Sequence, residues 1–334
     1  MKSRALGESG AIVSMLGLGC MGMSDLYGAA DRYEAIATIH AALDAGITLF
    51  DTGDFYGMGQ NEMLIREALT GCERDSFQIS VKFGALRDSE GGWNGYDARP
   101  VAIKNFLAYS LRRLGVDYID IYRPARLDPA VPIEDTVGAI ADLVQKGYVR
   151  HIGLSEVGPE TIRRAAKVHP ICDLQIEYSL ISRGIEREIL PVCRDLSISI
   201  TAYGVLSRGL ISGHWSQDRV ISSSDFRTIS PRFQVDNLMA NLELVERLRR
   251  IAQRIDASVA QVAIAWVAAQ GEDIVPLIGA RQRSQLTESL GALDLRLTSA
   301  QLAALAKAVP LGAAAGARYP EPLLVHMDSE RSML

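Results

Sequence analysis

The sequence predicts a (β/α)8 TIM barrel forming a single domain over residues 1–334, and three observations carry that prediction. Eight short runs rich in β-branched residues are apolar throughout, as strands buried on both faces must be. A longer segment of helical period follows each of them. The stretch GLGCMGMSD (17–25), after the first strand, lacks the glycine spacing by which a doubly wound open sheet binds a nucleotide. No linker divides the chain.

In chain order, the first strand lies in SMLGLGCM (14–21), and Asp31 N-caps a helix over 31–45 that Gly46 ends. ITLFDT (47–52) precedes a helix over 60–70, and FQISVKFG (77–84) one over 98–114. YIDIYRPA (118–125) leads to 134–146, which Gly147 ends. VRHIGLSE (149–156) is followed by 159–168, and DLQIEYS (173–179) by 185–195. ISITAYGV (198–205) leads to 237–255, and DIVPLIGA (273–280) to 282–291. Ser258 and Thr298 stand where further N-caps belong. Two tracts are irregular, 205–235 and the C-terminal tail from 309; in a barrel both serve as accessory segments.

Composition narrows the function classes. A net charge of −5 with interspersed signs offers no basic face to nucleic acid and no polybasic run to a membrane. No apolar stretch is long enough to cross a bilayer and the N-terminus lacks a signal-like core, so a cytoplasmic protein is expected, with homo-oligomers possible. Cys20, Cys72, Cys172 and Cys193 form no CxxC pair, and the five histidines fall into no metal-binding spacing, so no metal site is expected.

In such a barrel the chemistry collects at the C-terminal strand ends. There the second and third strands place Asp51, Tyr56 of the loop DTGDFYG, and Lys82. An acid, an amine and a phenol on one rim form an acid/base device, with the charged pair expected to lower the phenol's pKa from about 10. A structural ion pair beside a surface tyrosine is the alternative for these three residues. Ser155, Gln175 and Tyr203 add a hydroxyl, an amide and an aromatic face suited to a nicotinamide. After the eighth strand, Arg281 and Arg283 beside a helix start suit a phosphate.

Taken in order, "LGESGAIVSMLGLGCMGMS", "LFDTGDFYGMGQNEMLIREAL", "SVKFG", "GYVRHIGLSE", "LQIEYSLISRGIE", "TAYGVLSRGLISG" and "LGALDLRLTSAQL" resemble the aldo-keto reductase family over nearly the whole chain. The resemblance implies a barrel that binds NADP(H) without a Rossmann domain and transfers hydride between nicotinamide and a small-molecule carbonyl or alcohol. The family's catalytic aspartate, tyrosine and lysine fall on Asp51, Tyr56 and Lys82. Its cofactor residues fall on Ser155, Glu156, Gln175 and Tyr203, and on a loop with Gly204, Leu206, Arg208, Gly209 and Leu210 under the pyrophosphate. Gly279, Arg281, Gln285 and Glu288 then stand at the adenosine phosphate.

Two departures stand out. The family's catalytic histidine position is Ala125, which removes an oxyanion-type contact typically worth ~3 kcal/mol. Glu156 replaces an asparagine common beside the carboxamide-binding serine, and can accept from an amide but not donate. Arg123, two residues before Ala125, faces the barrel interior by strand alternation and needs an acid, expected to be Glu156 or Glu177. The segments 84–100 and 212–234 are expected to wall the substrate pocket, with Tyr27, Trp93, Trp215 and Phe226 as aromatic candidates beside Arg123 and Ala125. The sequence thus supports an oxidoreductase whose substrate, for example a polyhydroxylated alcohol, brings its own polar group into the space at Ala125. A nicotinamide-binding regulatory or redox-sensing module is the alternative.

Overall fold

A computed structural model describes residues 1–8, 10–24 and 26–331. Ser9, Asp25 and the last three residues of the expected domain lie outside it. Eight parallel strands close into a barrel: β1 (Gly17–Gly19), β2 (Leu49–Gly53), β3 (Gln78–Phe83), β4 (Ile119–Pro124), β5 (Val149–Ser155), β6 (Ile171–Glu177), β7 (Ser199–Tyr203) and β8 (Ile274–Gly279). Each lies within or beside its predicted run, because strands shielded on both faces need unbroken apolar sequence.

The helices follow the predicted order: α1 (Arg32–Asp44), α2 (Gln60–Leu69), α3 (Pro100–Leu114), α4 (Ile133–Gln145), α5 (Pro159–Val168), α6 (Ile189–Asp195) and α7 (Val235–Arg254). Then come α8 (Val259–Ala268), α9 (Arg283–Leu290) and α10 (Ser299–Ala308). Asp31, Ser258 and Thr298 each accept a backbone N–H of the helix they precede, and Ser258 and Thr298 complete capping boxes with Gln261 and Gln301. Gly46 and Gly147 take φ of +83° and +78° just past α1 and α4, a conformation glycine adopts without Cβ strain. Two helices lie outside the predicted set, α10 after the Thr298 cap and α8 after the Ser258 cap; for α8 the reason is its composition. Its sequence VAQVAIAWVA is buried nearly all round, so no polar face marks a helical period.

A hairpin of Ser3–Ala5 and Ile12–Ser14 packs against the N-terminal end of the barrel. There Leu6 and Val13 cluster with Leu49, Ile121, Cys172 and Val275. Arg4 donates to the carbonyls of Ala268, Gly271 and Ile274 and fixes the hairpin to β8. At the opposite end, register sets the site: Asp51 lies beside Ser80, Lys82 beside Arg123, and Ser155 beside Gln175. Among the described residues no helix is long and apolar enough to cross a membrane.

Candidate active site

A cavity of about 590 Å³ opens at the C-terminal strand ends. At its floor Asp51 accepts hydrogen bonds from Lys82 Nζ, from Ser80 Oγ at 2.8 Å and from Gln175 Nε2 at 2.7 Å. Full burial of the pair is tolerable because every charge has a partner. Burial lowers the Lys82 pKa against the opposing pull of Asp51. Lys82 Nζ also lies 5.1 Å from the Tyr56 ring centroid, and Phe55 meets that ring edge-on at 4.8 Å.

Among the described residues the Tyr56 hydroxyl has no hydrogen-bond partner, so its proton is available to whatever fills the cavity. The expected lowering of its pKa does not occur. Burial, and next the Asp51 carboxylate, push it well above the ordinary phenol value, since both disfavour the phenolate. Asp54, in the same loop, is pushed up to about 8 by burial and by Glu62.

Ser155, Gln175 and Tyr203 share one wall of the cavity with Asp51 and Lys82. Ser155 Oγ is buried and has no partner, an orphaned donor and acceptor aimed at a missing polar group. Tyr203 donates to Glu156 at 2.7 Å and therefore accepts from Tyr319, whose oxygen is 2.9 Å away. Beyond this wall the loop after β7 contributes Gly204, Leu206, Ser207, Arg208 and Gly209. Ser207 and Arg208 hold φ of +48° and +58°, left-handed backbone that non-glycine residues adopt at a cost and chiefly at functional sites. Leu210 is fully buried behind this loop and does not reach the cavity. These residues fit a nicotinamide cofactor: an unpartnered hydroxyl for a carboxamide, a ring face for stacking and a turn of backbone amides for phosphate.

The far end of the cavity holds Tyr27, Gly279, Arg281, Gln285 and Glu288. Arg281 donates to the carbonyls of Tyr27 at 2.8 Å and Ala29 at 3.4 Å, while Gln285 accepts from its backbone N–H. Arg283 does not share the site. It turns onto α1 and pairs with Glu34 at 2.9 Å. Further cations come from the irregular tract, where Arg219 and Arg227 line the same end.

Two further expectations are corrected. Glu156 is absent from the cavity wall: its carboxylate accepts from Arg318, Ser329, Tyr203 and the Glu177 backbone. Burial opposes that charge, but Arg318 overcomes it and holds the carboxyl well below the usual range. Arg123 is fully buried, lines no part of the cavity, and pairs with Asp173 at 2.8 Å rather than with Glu156 or Glu177. It faces inward, but one level below the rim, where Asp173 on β6 is the acid within reach. The tail, expected as an accessory segment, reaches the site itself: Tyr319, Leu323 and Met327 line the cavity and Arg318 anchors it.

Sequence reasoning also left Arg126 and Tyr96 unassigned, although both line the cavity with Ala125, Trp93, Trp215 and Phe226. Arg126 carried a signal, the residue directly after Ala125. The tail residues carried none, since only the folded chain brings them to the rim.

The geometry is that of a barrel oxidoreductase, and comparisons with known proteins agree. The Aldo/keto reductase family model matches residues 15–310. A probable aldo-keto reductase 1 of Glycine max is 42% identical over 315 residues, covering 94% of this chain and 90% of that protein. Among solved structures, a glycerol dehydrogenase from Gluconobacter oxydans superposes with a TM-score of 0.83 at 30% identity, covering 92% of this chain and 96% of that one. The holo form of an aldo-keto reductase from Bacillus halodurans gives 0.76 at 29%, with the same coverage. The chain belongs to the aldo/keto reductase family. That membership brings nicotinamide-dependent oxidoreduction of small carbonyl compounds.

Proposed function

We propose that this chain is a single-domain, NADP(H)-dependent oxidoreductase acting on a carbonyl or alcohol, with Tyr56 as the proton donor and acceptor. The observation that carries the reading is the unbonded Tyr56 hydroxyl beside the Lys82–Asp51 pair, on the wall that also holds the orphaned Ser155 hydroxyl. When bound, the nicotinamide supplies or takes up hydride at the carbonyl carbon. Tyr56 delivers its proton to the carbonyl oxygen as charge develops there, and takes it back in the reverse direction. Asp51 orients Lys82, whose charge favours phenolate when the proton leaves. Ser155, Gln175 and Tyr203 position the carboxamide and ring, Arg208 and the loop amides meet the pyrophosphate, and Arg281 meets the adenosine 2′-phosphate.

Ala125 leaves the substrate oxygen without the family's imidazole, so the substrate brings a polar group of its own into that space. Following nicotinamide absorbance over a panel of aldehydes, ketones and alcohols with NADP(H) and NAD(H) tests the assignment. Turnover that is faster with NADP(H) supports it; cofactor binding without any turnover would assign the chain to a sensing role instead.

A further inference from the structure

We propose that Arg126 is the anion anchor of the substrate site, so that the preferred carbonyl substrate carries a carboxylate. This rests on the oxidoreductase reading above and names the polar group that the substrate brings. Arg126 lines the same cavity as Tyr56 and Ala125, directly after the strand end where the imidazole is missing.

The pairing of charges around it is uneven. Glu156 is held by Arg318, and Glu177 lies within 3.7 Å of Arg208, 3.2 Å of Arg232 and 3.6 Å of Arg318. Among the described residues Arg126 has no acid within ion-pair reach, and its hydrogen bond goes to the carbonyl of Ala125, at 2.6 Å. A guanidinium stays charged and presents a planar fork of donors that a carboxylate matches with two parallel bonds. Leaving such a cation half-buried and unpaired is costly, and a bound anion relieves that cost. The Tyr319 ring centroid lies 6.0 Å from the guanidinium carbon, and Phe55, Trp93, Leu323 and Met327 add apolar wall to the same cavity, which weakens screening and strengthens the attraction. The lone charge suits a monoanion better than a dianionic phosphate. Of the cavity's other cations, Lys82 is held by Asp51 and Arg208 lies 3.7 Å from Glu177, while Arg219, Arg227 and Arg281 belong to the end assigned to the cofactor.

The test compares each of two oxo acids, phenylglyoxylate and 4-carboxybenzaldehyde, with its own methyl ester, using NADPH. At least one acid is expected to exceed its ester in kcat/KM by about tenfold or more, mainly through KM, as a charge-assisted pair implies. Arg126→Gln should bring that ratio close to one, and Arg126→Lys should give an intermediate ratio, with thermal melts checking that both variants fold. Benzoate should also bind the complex with NADP⁺ in wild type and be lost in Arg126→Gln. Equal use of acid and ester in wild type, or a ratio that Arg126→Gln leaves unchanged, overturns the anchor while leaving the oxidoreductase reading intact. Failure of wild type to reduce any of the four, together with failure to bind NADPH, overturns both.

Discussion

Tyr56 is the residue on which the proposed chemistry turns. Tyr56→Phe should lower kcat by about 10²–10⁴ while leaving the NADPH dissociation constant nearly unchanged, because the hydroxyl is lost and the ring remains. An equally active variant would remove Tyr56 from the mechanism. Its raised pKa gives a pH signature: the phenol stays protonated through neutral and mildly alkaline pH. The rate of carbonyl reduction should therefore be flat from about pH 6 to about 9, and alcohol oxidation should rise with pH. Asp54 gives a stability signature in the same loop. Its folded pKa of about 8 exceeds the ordinary 3.8, so the folded state holds the proton more tightly. Stability must fall as pH rises between those two values, and Asp54→Asn should flatten that slope in melting curves. At this scale the strand-end residues Asp51, Tyr56 and Lys82 were legible because a charged residue in an apolar run demands a reason. The direction of the Tyr56 shift was not, since burial is a property of the folded cavity.

Among the elements, the C-terminal tail matters most to the site. Arg318 carries it to Glu156, whose own φ of +53° turns the chain at the end of β5, and Ser329 closes on the same carboxylate at 2.7 Å. Arg318→Met strands a buried charge and should destabilise the protein by about 3–5 kcal/mol, with earlier proteolysis of the tail. Because the Glu156 pKa is depressed on folding, the stabilisation is full above the ordinary carboxyl range and is lost as pH falls toward the folded value. Melting curves on the acid side should show this dependence in wild type and lose it in Arg318→Met. Irregular sequence concealed the role: GARYPEPLL has neither helical nor strand period, and Glu156 could be read only as a neighbour of Ser155. Helix boundaries were legible where a cap or a glycine bordered an amphipathic period, as at Asp31 and Gly147, whereas the caps Ser258 and Thr298 did not by themselves reveal the helices they head.

For the whole molecule, barrel closure explains what local reading could not. Arg123 finds Asp173 because β4 and β6 both project side chains into the same interior layer, with β5 between them. Ser80 accepts from Arg123 at 3.0 Å and donates to Asp51, so the interior pair is joined to the floor of the site. Asp173→Asn should destabilise strongly, by about 3–5 kcal/mol in denaturant unfolding, whereas replacing both partners with Met and Leu should recover much of the loss. Pairing across a strand depends on barrel stagger, which eight separate runs do not encode. The hairpin that covers the N-terminal end has a kinetic consequence. With Leu6 and Val13 stoppering that end, and the tail lying over the other rim, cofactor and substrate must share one mouth. A dinucleotide held along the wall of Ser155, Gln175 and Tyr203 would then have to arrive before the carbonyl compound and depart after the alcohol. Product-inhibition kinetics should accordingly be those of a compulsory order, with NADP⁺ competitive against NADPH and the alcohol product competitive against neither substrate.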